Sequence, residues 1–313
     1  MVIRTRRTAA DSIASTGPHH DVQAAEAASP RRAPDAAAQK AQDMIEIERG
    51  LLKTALGTIH YRAAGSGDPI LLFHINQQSS AMMLELMEAL APDFRVLAMD
   101  YPSHGMSDHV ARQPSIGDYA DIAVRLMDAN GIARAHLIGE AVGSLVATDL
   151  AGRHPDRVSR VLLVNCPYLP GVPLNQTKGD VTSDHRPTDP SGFPLTRTME
   201  FVLDRDPAHS PMHLTQSWMD RINRAQIEAG RNRWQALDAL RAFDLPGGLD
   251  RLRRPVRVLM GEHFYFLQYR DTMMAHLPGA ALKVVPNGRF CVTWEHAATV
   301  AQEARTFLRD EAD

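Results

Sequence analysis

Apolar runs and helically spaced segments alternate along most of this chain. The runs are continuously apolar, which is typical of strands buried on both faces of a parallel sheet. Such strands are predicted at residues 69–74, 94–99, 136–138, 161–167, 255–261 and 281–286. Before the first of them, residues 45–50 and 58–65 show the shorter alternation of an antiparallel pair, with the turn between Gly50 and Gly57.

Segments with helical spacing separate these strands. They are predicted at residues 79–90, 116–130, 143–153 and 297–309. Ser79 or Ser80 suits the start of the first helix, and Asn130 followed by Gly131 suits the end of the second. Strands that alternate with helices of this length are joined by right-handed crossovers. The pattern therefore predicts an α/β fold with a mostly parallel, doubly wound sheet.

Two parts of the chain depart from this rhythm. Residues 1–43 are rich in Ala, Arg, Ser and Pro without an apolar period, so we expect a disordered tail. Residues 167–245 contain no convincing strand, and helical pieces are predicted within them at 195–203, 214–229 and 234–242. This insertion is interpreted as a helical cap. The core domain would comprise residues 44–166 and 246–313.

Composition and charge argue against several classes of function. The formal net charge of −3 over 313 residues gives no support to a nucleic-acid or anionic-membrane partner. No apolar run approaches the roughly 18 residues of a membrane span, and no apolar signal region begins the chain, so we expect a cytoplasmic protein. Phosphate loops, dinucleotide fingerprints and metal-ligand spacings are absent from the sequence, so no cofactor is expected. The sequence leaves open whether the protein forms a homodimer.

The most informative motif is Gly-Glu-Ala-Val-Gly at residues 139–143, at the end of a predicted strand. Its spacing is that of G-x-S-x-G, the sharp turn that presents a nucleophilic serine at the top of a strand. Ala141 occupies the serine position. The turn therefore presents a methyl group where the nucleophile would stand.

Five motifs in the same order resemble those of the α/β-hydrolase fold superfamily, in its branch with a helical cap between strands six and seven. They lie at residues 73–76, 100–108, 139–143, 258–263 and 285–290. The second of them, Asp-Tyr-Pro-Ser-His-Gly-Met-Ser-Asp, is close to the family's D-x-P-G-H-G-x-S-D loop. The resemblance implies that fold. It also implies an oxyanion hole formed by the backbone N–H groups of Val142 and of Ile75 or Asn76.

The resemblance also locates three departures from the Ser-His-Asp triad of the family. Ala141 stands at the nucleophile position, Phe264 at the acid position and Arg289 at the histidine position. An engineered replacement of serine would explain Ala141 alone and leave the other two unexplained. Loss of such residues costs about 10⁶-fold in turnover. We therefore expect no ordinary serine hydrolysis.

Other residues are candidates for chemistry close to Ala141. Arg289 would clamp a carboxylate or other anion, or else form a buried ion pair with Glu140 or Glu262. His263 is the nearest titratable group that could act as a base, and the alternative for it is a role in loop architecture.

The remaining candidates each have a structural alternative. The hydroxyl of Tyr265 would donate a hydrogen bond to substrate, or its ring would simply pack. The expected substrate site is lined by His74, Glu140, Phe264 and Tyr168. Of these, His74 would otherwise brace its loop, and Glu140 would otherwise make a structural hydrogen bond. Cys166 and Cys291 are expected to be reduced, buried thiols.

Three classes of function remain open. The leading hypothesis is an enzyme that acts on a small anionic organic substrate by lyase, isomerase, decarboxylase or cyclase chemistry, using the oxyanion hole and Arg289. The second is a catalytically inactive relative that binds a small molecule or a partner. The third is a hydrolase with a displaced nucleophile, or with a water activated by His263 or Glu140. Apolar surroundings of Ala141 would favour a binding protein, whereas converging polar side chains would favour catalysis.

Overall fold

A computed structural model of the protein describes residues 45–170 and 216–309, and an eight-stranded sheet runs through them. The strands are Glu48–Thr54 (β1), Gly57–Ala64 (β2), Asp68–Phe73 (β3), Phe94–Met99 (β4), Ala135–Glu140 (β5), Val158–Val164 (β6), Val256–Gly261 (β7) and Ala281–Val285 (β8). Their order in the sheet is β1-β2-β4-β3-β5-β6-β7-β8. β2 is antiparallel to both of its neighbours, and all other pairs are parallel. The predicted α/β fold with a mostly parallel sheet is confirmed.

Helices connect the strands. The α-helices of the described ranges are Leu84–Leu90 (α1), Ile116–Ala129 (α2), Val142–Arg153 (α3), Gln216–Ala229 (α4), Gln235–Ala242 (α5), Leu245–Asp250 (α6), Arg270–Met274 (α7), Val292–Glu295 (α8) and Ala297–Leu308 (α9). The side chain of Ser79 caps the 3-10 turn before α1, and Ser115 forms a capping box with Asp118 at the start of α2. No helix in these ranges is long and apolar enough to cross a bilayer.

The two faces of the sheet are both covered, because side chains alternate along each strand. On β3, Leu71 and Phe73 belong to one buried cluster, which includes residues of α2, α3, α5 and α6. Ile70 and Leu72 belong to a second cluster, which includes residues of α1 and α9. This two-sided burial explains why the central strands are continuously apolar in sequence.

The first pair of strands differs from the prediction at its turn. β1 and β2 leave two residues between them, whereas the sequence pattern predicted a turn that begins at Gly50. Gly50 lies within β1, opposite Tyr61, whose ring atoms occupy the place of a Cβ at 2.2 Å. Gly50 therefore makes room for the ring of Tyr61. The turn itself uses Gly57, whose φ of +89° is favourable for glycine.

The predicted cap is described in part. α4 and α5 confirm, within the described residues, the helical pieces predicted at 214–229 and 234–242. A 3-10 turn, Gly230–Trp234, joins the two helices. The predicted helix at 195–203 and the expected disordered tail at 1–43 lie outside the described residues. The division of the chain into core and cap stays a prediction.

Candidate functional site

The turn between β5 and α3 holds Ala141 in a strained backbone conformation. Its φ is +49° and its ψ is −114°, and the residue is 2% exposed. A non-glycine residue in such a region costs about 1–3 kcal/mol. The Ala141 N–H donates to the Val164 carbonyl (3.0 Å), and its carbonyl accepts from the Ser144 N–H (2.9 Å) and hydroxyl (2.6 Å). These bonds lock the turn in the geometry of a nucleophile elbow.

The two flanking glycines are sterically required in this turn. A Cβ on Gly139 would lie 2.1 Å from the Gly143 carbonyl oxygen, and a Cβ on Gly143 would lie 2.1 Å from the Phe73 carbonyl oxygen. Both obstacles are backbone atoms, which cannot move aside as a flexible side chain can. The chain therefore retains the demanding backbone of the elbow without the serine that such a turn presents.

The predicted oxyanion donors lie around the elbow. Val142 is the first residue of α3, and an N–H at that position has no acceptor within its own helix. It also lies at the positive end of the helix dipole. Ile75 is buried in the same small cluster as Ala141, and Asn76 is half-buried in the turn after β3. The role of these donors in holding a substrate oxygen stays a prediction.

Ala141 belongs to a small buried cluster of apolar side chains. The buried members of this cluster are Ile75, Met82, Ala141, Trp218, Ile222 and Cys291, and we call them the elbow cluster. Trp218 comes from α4 and stacks on Trp294 with ring centroids 5.9 Å apart. Apolar residues of the sheet domain and of α4 therefore pack in one cluster with Ala141.

The loops that follow β7 and β8 contact each other. The His263 N–H donates to the Gly288 carbonyl (2.9 Å). Phe264 is 4% exposed, and its ring centroid lies 6.0 Å from that of Phe290. An aromatic contact thus joins the loop after β7 to the loop after β8. Arg289 is half-buried, and the roles predicted for its side chain and for that of His263 stay predictions.

Glu140 is fully buried, and its carboxylate accepts four hydrogen bonds. Oε1 accepts from the Val292 N–H (2.7 Å) and the Asn165 amide (3.0 Å). Oε2 accepts from the Thr293 N–H (3.1 Å) and from the Thr293 hydroxyl. Burial raises the pKa of Glu140 to about 7 in spite of these donors. The four bonds support the structural alternative for Glu140, and its predicted contact with substrate stays untested.

His74 braces the loop after β3. Its Nδ1 donates to the Ile75 carbonyl (2.7 Å), and its Nε2 accepts from the Tyr101 N–H (3.4 Å). The Tyr101 hydroxyl returns a bond to the His74 carbonyl (2.9 Å). Burial lowers the pKa of His74 to about 4, so the imidazole is neutral at pH 7. These contacts agree with the bracing alternative.

The two candidate tyrosines do not share the elbow cluster. Tyr265 is 59% exposed and packs edge-on against Phe266. Tyr168 is buried, and its hydroxyl donates to Nε2 of His276 (2.9 Å), whose Nδ1 donates to Asp250 (2.8 Å). Neither tyrosine is brought to Ala141 in the described part of the chain. The substrate contacts predicted for Tyr265 and Tyr168 stay predictions.

Asn165 is a site residue whose role the sequence did not reveal. Its amide donates to Glu140 and to the carbonyls of Arg289 (2.7 Å) and Phe290 (3.2 Å), while its Oδ1 accepts from the Gly261 N–H (2.9 Å). One side chain thus joins the elbow, the end of β7 and the loop of the histidine position. The available signal was an asparagine directly after a buried strand, a residue type that tolerates its φ of +46°.

Helix α4 is fastened over the elbow by polar contacts. Arg221 makes a two-pronged ion pair with Glu85 (2.7 and 2.8 Å), and its guanidinium carbon lies 4.2 Å from the Trp294 ring centroid. Gln226 donates to the side-chain oxygen of Gln77 (2.9 Å) in the loop after β3. These contacts hold Trp218 and Ile222 of α4 against the elbow.

Several relatives of this chain in sequence are named as hydrolases. A protein of Caulobacter sp. (strain K31) named as a carbamate hydrolase is 39% identical over 242 residues, which cover 72% of this chain and 85% of the relative. A 2-hydroxy-6-oxononadienedioate/2-hydroxy-6-oxononatrienedioate hydrolase of Pseudomonas sp is 24% identical over 84% of this chain and 95% of the relative. The match to (E)-2-((N-methylformamido)methylene)succinate hydrolase of Acinetobacter baylyi is 30% identical over 36% of this chain, and it spans 42% of that relative's length.

Solved structures agree on the fold. A hydrolase from Pseudomonas aeruginosa PA01 superimposes with a TM-score of 0.70 at 22% identity, over 83% of this chain and 98% of the other. The enol-lactonase from Burkholderia xenovorans LB400 superimposes with a TM-score of 0.67 at 23% identity, over 83% of this chain and all of the other (100%). The sequence model for the alpha/beta hydrolase fold matches residues 68–297, which include every strand from β3 onward. This chain belongs to the α/β-hydrolase fold family.

Proposed function

We propose that this protein binds a small organic molecule at the elbow and does not cleave it through a serine nucleophile. The ligand has an apolar body, which packs in the elbow cluster. It also has a carbonyl or carboxylate oxygen, which accepts from the Val142 N–H. The observation that carries the proposal is Ala141 on an intact, strained elbow, in one buried cluster with apolar side chains of the core and of α4.

The chemistry of the site supports binding in preference to a displaced nucleophile. Burial raises the pKa of the Cys166 thiol to about 12 and that of the Cys291 thiol well above its usual value, so both lack thiolate character at pH 7. The four donors on Glu140 occupy the lone pairs with which a base would activate water. His74 is engaged at both ring nitrogens.

The ligand class follows from the relatives and from the donors at the elbow. The two relatives with the highest identity reported above are named as hydrolases of a carbamate and of a methylenesuccinate derivative. A protein that retains their turn without its nucleophile keeps a means of holding such an oxygen. Catalysis by the triad is what it loses.

Non-hydrolytic turnover of an anionic substrate is the second candidate. The observation in its favour is the start of α3, where the Val142 N–H would stabilise developing negative charge on an enolate or alkoxide. In this alternative Arg289 binds the substrate carboxylate, and His263 acts as the base that accepts a proton from the substrate. It requires both side chains to face the elbow.

Binding can be tested with a pair of probes and a pair of variants on α4. Phenylacetate and methyl phenylacetate differ in charge, and calorimetry measures the affinity of each. Ile222 is 5% exposed in the elbow cluster, and Ile227 is 60% exposed on the same helix. We expect Ile222→Trp to fill the site and weaken binding about tenfold or more, whereas Ile227→Trp leaves it unchanged.

Turnover is measured in the same samples by release of methanol from the ester. If the protein binds without cleaving, methyl phenylacetate stays bound and no methanol is released. Steady release of methanol above the buffer rate would overturn it, and so would equal affinities for the two tryptophan variants.

A further inference from the structure

A cleft of about 320 Å³ opens at the edge of the sheet opposite the elbow. Its walls include residues at or near the starts of β6, β7 and β8, whereas Ala141 follows the end of β5. These strands are parallel, so their starts lie at one edge of the sheet and their ends at the other. The cleft is therefore separate from the elbow cluster.

The charged side chains of this cleft are cationic. Arg160, Arg254 and Arg257 line it together with His276, and its described lining contains no Asp or Glu. Three guanidinium groups around one concave surface form a site that favours an anion. Guanidinium groups suit phosphate in particular, because their planar forks donate two parallel hydrogen bonds to its oxygens.

The anionic neighbours of two of these arginines neutralise them weakly. Arg254 contacts Asp156 at 3.5 Å, and that carboxylate is 95% exposed, so solvent screens the pair. Arg257 contacts Glu303 at 3.5 Å, but Glu303 lies closer to Lys283, at 2.7 Å. The Nε of Arg257 is buried without a hydrogen-bond partner in the described part of the chain. A buried donor without a partner costs free energy.

Phe307 brings two of the cations close to each other. The guanidinium carbons of Arg160 and Arg257 lie 5.6 and 4.8 Å from the centroid of its ring. A dianion bound beside this ring would attract both cations. The remaining walls are apolar and include Leu252, Val256, Leu277, Pro278 and Phe307.

We propose that this cleft is a binding site for a phosphate monoester of a small organic group. The phosphate lies between Arg160, Arg254 and Arg257, and the organic group packs on the apolar wall. The volume exceeds that of a bare phosphate, which is why an ester fits better than the inorganic ion. The site is independent of the function proposed at the elbow, so either can fail without the other.

Calorimetric titration of the full-length protein tests the site with phenyl phosphate, inorganic phosphate and benzoate. We expect phenyl phosphate to bind most tightly, and benzoate at least about tenfold more weakly, because it carries one negative charge and not two. Arg257→Met should weaken phenyl phosphate about tenfold or more, since it loses charge-assisted hydrogen bonds. Glu303→Gln should strengthen it, because the competing carboxylate is removed.

The control is Arg125→Met, which removes an exposed arginine of α2 outside the cleft. Arg254→Met serves as a second cleft variant should Arg257→Met unfold. The proposal is overturned when phenyl phosphate does not bind, when the folded cleft variants weaken benzoate binding as much as phenyl phosphate binding, or when Arg125→Met and the folded cleft variants weaken phenyl phosphate binding to the same extent. Loss of binding in the cleft variants alone, with Glu303→Gln tighter, supports it.

Discussion

Phe264 and Phe290 pack against each other, with ring centroids 6.0 Å apart, between the loops that follow β7 and β8. Phe264 occupies the position of the triad acid, and Phe290 follows the position of the triad histidine. An acid–imidazole pair needs a polar, hydrogen-bonded environment, and this aromatic contact supplies an apolar one. Apolar side chains therefore pack between these two loops.

Restoring the three triad residues together should create an esterase. We expect the triple variant Ala141→Ser, Phe264→Asp, Arg289→His to hydrolyse p-nitrophenyl butyrate at least about 100-fold faster than the wild type, because the elbow and its helix N-terminus are already in place. The reaction is followed by the absorbance of p-nitrophenolate, after circular dichroism has shown that the variant is folded.

The single variant Ala141→Ser is the control for this prediction. A serine without a base is a weak nucleophile, so its rate should stay at the wild-type level. A large increase from this one change would show that a base already faces the elbow, and it would contradict the view that the triad function is lost.

Gly143 is predicted to be essential for stability. Gly143→Ala should lower the free energy of unfolding by about 2 kcal/mol or more, because the new Cβ would meet the Phe73 carbonyl oxygen at 2.1 Å. Urea denaturation measures the change. Gly117→Ala is the matched control, since a Cβ at that position in α2 has its nearest neighbour at an ordinary 3.5 Å. Equal stabilities of the two variants would rule out the steric requirement.

Glu140 should make stability depend on pH. Its pKa is about 7 in the folded protein against 4.5 for an unperturbed glutamate, so the folded state holds the proton more tightly. The free energy of unfolding that this group contributes is therefore highest below pH 4.5. It falls as the pH rises to about 7, by up to about 3 kcal/mol.

The variant Glu140→Gln isolates this contribution. It does not titrate, so urea denaturation between pH 4.5 and 7.5 should show a smaller downward slope than the wild type. Its stability should also be lower at acid pH, because the amide NH₂ group would face the donors of Thr293. Identical slopes for the two proteins would exclude Glu140 as the titrating group.

Arg221 should control how firmly α4 is held over the elbow. Arg221→Met removes the ion pair with Glu85 and replaces the cation over the Trp294 ring. Together these contacts stabilise docking by about 1–2 kcal/mol, so hydrogen exchange within α4 should accelerate about tenfold. Arg224→Met on the same helix removes an exposed pair with Glu228 and should leave the exchange rates unchanged. Acceleration in both variants would assign the effect to helix propensity.

The parts of the fold that depend on local sequence could be predicted. The parallel strands follow from continuous apolar runs, and the elbow follows from two glycines whose Cβ atoms have no room. The first turn was placed wrongly because Gly50 accommodates the ring of Tyr61, and a glycine that makes room for a neighbour resembles one that makes a turn.

The contacts that close the site join residues far apart in the chain, and no local pattern encodes them. Arg221 and Glu85 are separated by 136 positions. Helical periodicity indicates which face of α4 is apolar and does not identify its partner. The 59% exposure of Tyr265, at the start of the 3-10 turn after Phe264, is likewise a feature that no local pattern reveals. The cationic cleft combines the starts of three strands, which a linear motif does not reveal.

Whether the protein binds or hydrolyses its ligand is tested most directly by mass spectrometry of a metabolite extract incubated with the purified protein in ¹⁸O-labelled water. If the protein binds its ligand without cleaving it, a small organic molecule with a carbonyl or carboxylate group is retained by the protein and recovered unchanged. A product that carries ¹⁸O would demonstrate hydrolysis and contradict binding without cleavage. A product formed without the label would replace the binding function with the non-hydrolytic one.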